Sequence, residues 1–152
     1  MDETAFLRQA IEKAKESVAK GGFPAGAVVT KDGKIIGEGI SIGNILHDPT
    51  SHGEIASLRD ACVQIQNSNL SGSTLYASMQ PCVMCLSACM WASVSKVVFA
   101  CSQENVAKEY YGGTYNSEDL NKTFSQPIEI KQLPDLEDES LQVVKEWEAS
   151  QK

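Results

Sequence analysis

Ser51-His52-Gly53-Glu54 and Pro81-Cys82-Val83-Met84-Cys85 are the two stretches that decide how this chain folds and what it holds. A zinc ion takes four ligands in tetrahedral array, typically imidazole and thiolate, and a catalytic site leaves one position to water. His52, Cys82 and Cys85 supply three such ligands and leave the fourth position open. The spacing places Cys82 and Cys85 on one face of a helix at its first turn. A helix N-terminus favours negative charge, so both sulfurs are more easily held as thiolates there. His52 also falls at a predicted helix start, so two helix N-termini facing one another would put the metal between them. Glu54, two residues after His52, is then placed to act as general base and acid, taking a proton from water and returning it to a reacting group. Zinc lowers the pKa of the water it holds to about 7, so hydroxide is available at neutral pH.

Working outward, residues 4–19 place Phe6, Leu7, Ala10, Ile11, Ala14 and Val18 at helical spacing, and Gly21-Gly22 stops that helix. Ala25–Thr30 and Lys34–Ile40 read as strands, joined by a hairpin turn at Lys31-Asp32-Gly33. A polar loop follows. Ser51 opens a second helix, through about Gln66, with Ser51 and Glu54 at capping-box spacing. Thr74–Ser78 reads as a strand, Cys82–Ala92 as a helix and Val94–Ala100 as a strand. A short helix begins near Gln103. Residues 110–127 carry little pattern, 128–132 form a strand, and Leu136–Ser150 a terminal helix. This alternation predicts one α/β domain spanning 1–152, with helices on both faces of one sheet. The first two strands should run antiparallel, and the later ones, separated by helices, can run parallel.

Composition limits the function. The chain has 152 residues, 42% of them apolar, enough for one packed core. No stretch approaches the ~20 apolar residues a membrane helix needs. Asp2 and Glu3 stand where a signal peptide would be basic, so a soluble cytoplasmic protein is expected. The formal charge of −7, with scattered Lys and Arg, disfavours a nucleic-acid substrate and suits a small neutral one. Five cysteines, an odd number, argue against a disulfide framework.

The order His-x-Glu followed by Pro-Cys-x-x-Cys is the signature of zinc deaminases. With Gly22-Phe23-Pro24-Ala25-Gly26-Ala27-Val28 and Asp48-Pro49-Thr50-Ser51-His52-Gly53-Glu54, it makes residues 5–101 resemble the cytidine deaminase superfamily. Within it, the chain is similar to the branch holding fungal-type cytosine deaminase, bacterial guanine deaminase and tRNA adenosine deaminase. That resemblance implies a three-layer αβα sandwich around a mixed five-stranded sheet, one catalytic zinc per subunit, and a homodimer. It implies hydrolytic deamination of an aminated heterocycle, cytosine-like or guanine-like. A tRNA adenosine deaminase and a non-catalytic, zinc-stabilised binding module are the alternatives.

The chain departs from that pattern where a substrate would be read. Ser41 stands where the branch normally places an Asn whose amide reads the base, and a hydroxyl offers no equivalent donor–acceptor pair. Asn44 is the candidate to compensate. Gly53 resembles fungal-type cytosine deaminase, where the backbone N–H at this position holds the substrate carbonyl. Gln80 stands where guanine and tRNA deaminases often carry Glu. Ser41, Asn44, Gly53 and Gln80 are therefore the candidate substrate-binding residues.

Several residues have plainer readings. Cys62, Cys89 and Cys101 read as buried small hydrophobes, and His47 as a solvated loop residue. Met90 and Trp91 read as core or dimer interface. Tyr110, Tyr111, Tyr115 and Trp147 divide between pocket wall and ordinary packing. Residues 102–152 match none of the three relatives clearly.

Overall fold

A computed structural model describes residues 2–151. The helices are α1 (Glu3–Ala19), α2 (Gly43–Leu46), α3 (Gly53–Ile65), α4 (Val83–Trp91), α5 (Ser117–Lys122) and α6 (Glu137–Ser150). The strands are β1 (Phe23–Lys31), β2 (Lys34–Ser41), β3 (Thr74–Met79), β4 (Lys96–Cys101) and β5 (Glu129–Gln132). They form one mixed sheet in the order β2-β1-β3-β4-β5. Helices cover both faces, which makes the three-layer sandwich expected from the sequence.

The hairpin forms where it was read, with Lys31 paired to Lys34. Asp32 and Gly33 both take positive φ, 52° and 75°, as a two-residue turn with the twist of its flanking strands requires. β3, β4 and β5 run parallel, but β3 runs antiparallel to β1. The chain passes through α3 before β3 and returns against β1 in the opposite sense, which helix spacing alone does not determine.

Period-two alternation divides the core between the two faces. Val29, Leu75, Ala77, Val97 and Phe99 pack with Leu58 and Ala61 of α3 and Leu86 and Cys89 of α4. Val28, Tyr76, Val98 and Ala100 point the other way, onto Phe6, Leu7, Ala10 and Ile11 of α1 and Val143 of α6. α3 rests directly on β2 because Gly37 and Gly39, two apart and so on one face, carry no side chain. A Cβ on Gly37 would lie 2.5 Å from the Ser57 carbonyl oxygen, and one on Gly39 would run into the Gly53 carbonyl oxygen. The N-terminus of α3 is thereby pressed to the sheet.

One edge of the sheet collects the site. β1 starts there, and β2, β3 and β4 end there. Phe23 pairs with Ser41, and Met79 with Cys101. Open sheets with parallel strands commonly bind ligands outside the carboxyl ends of those strands. Among the described residues no helix is long and apolar enough to cross a membrane.

Candidate active site

His52 and Cys82 are the N-cap residues of α3 and α4, both with extended backbone (ψ 161° and 175°). Two expectations shift here. α3 begins at Gly53 rather than Ser51, with no side-chain cap, and Glu54 is buried instead of closing a capping box. α4 begins at Val83, so Cys82 sits just outside the helix and Cys85 in its first turn. The α4 N-terminus is satisfied from elsewhere, since the Val83 N–H donates to the Tyr115 hydroxyl at 2.9 Å. Tyr115 therefore braces α4; it is not among the residues lining the pocket.

The two helix starts bring three metal-binding atoms together. His52 Nδ1 lies 3.6 Å from Cys82 Sγ and 3.5 Å from Cys85 Sγ. A tetrahedral zinc with ordinary Zn–N and Zn–S bonds separates these atoms by about 3.6 Å. The donor set and its spacing thus fit zinc. Among the described residues no other His, Cys, Asp or Glu joins this trio. The expected fourth position is therefore left open. Cys89, also on α4, is wholly buried in the core, as is Cys101, while Cys62 is half-buried.

The electrostatics follow from burial and proximity. The Cys82 thiol is drawn down to about 4 by the hydrogen bond from Cys85, with His52 assisting. Cys85 is pushed upward as the partner that keeps its proton. The hydrogen bond with Cys82 raises the His52 pKa in turn. Such a proton-sharing cluster is what a divalent cation replaces when thiolates become ligands. Glu54, 7% exposed, is raised to about 7, chiefly by desolvation and then by the Cys82 charge. A carboxyl near neutrality can both accept and return a proton.

The trio opens onto a cavity of about 480 Å³. His52, Glu54 and Cys82 line it, together with Ser41, Asn44 and Gln80 among the sequence-level candidates. Gly53 is not among the lining residues. It is needed for packing, since a Cβ there would sit 3.0 Å from Gly26 Cα. As first residue of α3, its N–H has no acceptor within the helix. Ser41 is 8% exposed, and its backbone N–H and carbonyl both bind the Ser17 hydroxyl at 3.1 Å.

The far wall is aromatic. Phe23, Tyr110 and Trp147 meet edge to face, with ring centroids 5.1 to 6.1 Å apart. The Tyr110 hydroxyl donates to Glu148 at 2.5 Å and ties the 3-10 turn Lys108–Tyr111 to α6. Tyr111 donates to the Gln80 carbonyl at 2.6 Å. Sequence reading missed Phe23 and Met79 as pocket residues. Their adjacency to the Pro24-Ala25-Gly26 and Gln80-Pro81 segments was the available signal. For Ser150 and Gln151, at the end of α6, no signal existed.

Residues 1–101 match the family described as the cytidine and deoxycytidylate deaminase zinc-binding region. The chain belongs to this family, within the cytidine deaminase superfamily, and is a zinc-dependent hydrolytic deaminase. It is 35% identical over 135 residues to a guanine deaminase of Bacillus subtilis (strain 168), covering 88% of this chain and 84% of that protein. An X-ray structure of guanine deaminase from Bacillus subtilis superposes with a TM-score of 0.70 at 38% identity, covering 73% of this chain and 71% of that one. A tRNA-specific adenosine deaminase of Haemophilus influenzae is 41% identical over 98 residues, covering 64% of this chain and 57% of that protein.

Proposed function

We propose that the chain, acting as one deaminase domain, hydrolyses the exocyclic amine of a free aminated nucleobase or related heterocycle, cytosine-like or guanine-like, and releases ammonia. The observation that carries this reading is the charge of the cavity. Its lining includes Asp48 and Glu54 and, among the described residues, no Lys or Arg. The Thr50 hydroxyl and N–H, with the Arg59 guanidinium 3.6 Å away, hold Asp48 below its ordinary value, so this carboxylate stays charged at the rim. A phosphate-bearing substrate would meet repulsion where it needs cations. The similarity to tRNA-specific adenosine deaminases favours a second reading, a base presented on tRNA. The lack of a Lys or Arg among the lining residues counts against it.

In this reading His52, Cys82 and Cys85 would hold the zinc, and the chemistry it would supply is acidification of a water at the open position. Glu54 would accept the first proton of the attacking water and pass it to the ring nitrogen, then take the second from the added hydroxyl and pass it to the amine, so that the C–N bond breaks, the C=O bond forms and ammonia leaves. Phe23, Tyr110 and Trp147 flank the flat ring and exclude solvent. Ser41, Asn44, Gln80 and the Gly53 N–H supply polar contacts. Ammonia assays of the zinc-loaded protein on cytosine, guanine, adenine and tRNA test the proposal. Turnover of a free base with none on tRNA is expected, and turnover on tRNA alone would overturn it.

We further infer a homodimer through the α3–α4 face, in a cytoplasmic protein whose cysteines are unpaired. Val63, Val83 and Trp91 stand 72%, 40% and 81% exposed on these two helices. Trp91 is thus not core, and three large apolar side chains in water favour a covering partner. Sedimentation is expected to give a dimer for the native chain and a monomer for Trp91→Glu. A monomeric native chain would end the inference.

A further inference from the structure

Three primary amides line the cavity, those of Asn44, Gln80 and Gln151, and backbone groups fix which end of the first two is free. The Gly21 carbonyl can only accept, so the atom facing it at 2.9 Å is the Asn44 Nδ2 donor. Asn44 Oδ1 therefore faces away from that anchor. The Gln103 N–H can only donate, so the atom facing it at 2.8 Å is the Gln80 Oε1 acceptor. Gln80 is left with Nε2 and its two protons. Asn44 is exposed at the mouth and Gln80 half-buried beside Cys82. Neither amide can flip without placing like against like on its anchor. The pocket thus holds an oriented acceptor at Asn44 and an oriented donor at Gln80.

We propose that these two amides select substrates that carry a ring carbonyl beside a ring N–H, with Gln80 Nε2 donating to the carbonyl and Asn44 Oδ1 accepting from the N–H. This deepens, and rests on, the reading of the site as a free-base deaminase. An aminated ring with the lactam edge satisfies both amides. A ring of the same shape without it leaves the Gln80 donor facing an unsuited edge, and an unmet buried donor costs roughly tenfold to hundredfold in affinity.

Matched probes isolate the effect. Guanine and 2-aminopurine share the position of the amine, as do cytosine and 4-aminopyrimidine, but the second of each pair lacks the lactam edge. Calorimetric titration of zinc-loaded Glu54→Gln protein is expected to show the lactam member of at least one pair bound ten times tighter or more. Adding Gln80→Glu keeps an acceptor for the Gln103 N–H and replaces the free donor by an acceptor. It is expected to bring that ratio below three, with thermal unfolding and zinc content unchanged. A merely structural Gln80 would weaken all probes alike. Equal binding within both pairs overturns the proposal without any Gln80 variant, and so does a ratio that survives Gln80→Glu. Discrimination in binding, with no ammonia released from any free base by the native protein, would sink the free-base reading and leave the recognition standing. Ammonia release without discrimination would do the reverse.

Discussion

Replacing Cys85 by Ser is expected to strip the protein of zinc and, with it, of all measurable ammonia release. Cys85 is wholly buried in the first turn of α4, and its Sγ lies 3.5 Å from His52 Nδ1. A serine hydroxyl is not deprotonated at neutral pH and does not replace a thiolate as a zinc ligand. Only three protein ligands converge among the described residues, so losing one leaves two. Zinc affinity should fall at least about a hundredfold, since even the partners that orient ligands contribute about ten- to a hundredfold. Zinc content after dialysis against a mild chelator, read by atomic absorption, checks this. Full zinc retention in Cys85→Ser would remove Cys85 from the site. The oxygen nearly fills the sulfur's place, so far-ultraviolet circular dichroism should show the fold intact.

The second large effect is expected at Glu54. Glu54→Gln keeps the shape and the burial but can neither take nor return a proton. Turnover should drop by about 10²- to 10⁴-fold with one zinc per chain retained. The same substitution should stabilise the zinc-free protein. Burial raises the folded-state pKa of Glu54 from the ordinary 4.5 to about 7. The folded state therefore binds the proton more tightly than the unfolded chain. Below about pH 4.5 both states are protonated, and native Glu costs nothing relative to Gln. As pH rises from 4.5 through 7 the native chain loses stability, and above 7 the deficit is complete, roughly 1–3 kcal/mol. Denaturant unfolding of both zinc-free proteins at pH 4.5 and pH 8 reads the difference. A Glu54→Gln protein no more stable than native at pH 8 would show that Glu54 is not held desolvated.

How much of this was legible depended on how local each feature is. His52, Glu54, Cys82 and Cys85 lie in two short segments, and the capacity of imidazole, thiolate and carboxylate for metal and proton chemistry travels with the residue types. The hairpin at Asp32-Gly33 was legible for the same reason, since the turn geometry is chosen by the two residues that make it. The sheet strands were readable to within two residues of their ends, because alternation at Val28-Val29 and Val97-Val98-Phe99 reflects two buried faces. The antiparallel pairing of β1 with β3 was not, because it depends on the route of the chain over the sheet.

Segment 110–127 stayed opaque because its order comes from distant partners. Asn116 caps α5, whereas Tyr110 is held by Glu148 and Tyr111 by the Gln80 carbonyl. The sequence presents Tyr110, Tyr111 and Tyr115 as equivalents, and only the fold separates two pocket residues from one that braces α4. Ser51 and Glu54 match a capping box in spacing, but the metal trio and the packing of α3 on β2 draw Glu54 inward. The capping role loses because the same carboxylate cannot serve both places. Ser41, Asn44 and Gln80 were legible as departures, and their hydrogen-bond partners, Ser17, Gly21 and Gln103, required the fold.

The most direct test of the account is isotopic. Zinc-loaded protein is given the nucleobase it turns over in ¹⁸O-labelled water, and product and ammonia are measured together by mass spectrometry and enzymatic ammonia assay. The account predicts one water-derived oxygen at the carbon that bore the amine for each ammonia released, with Glu54→Gln forming both at least about a hundredfold more slowly. Ammonia without incorporated label, or full turnover in Glu54→Gln at equal zinc content, would contradict it.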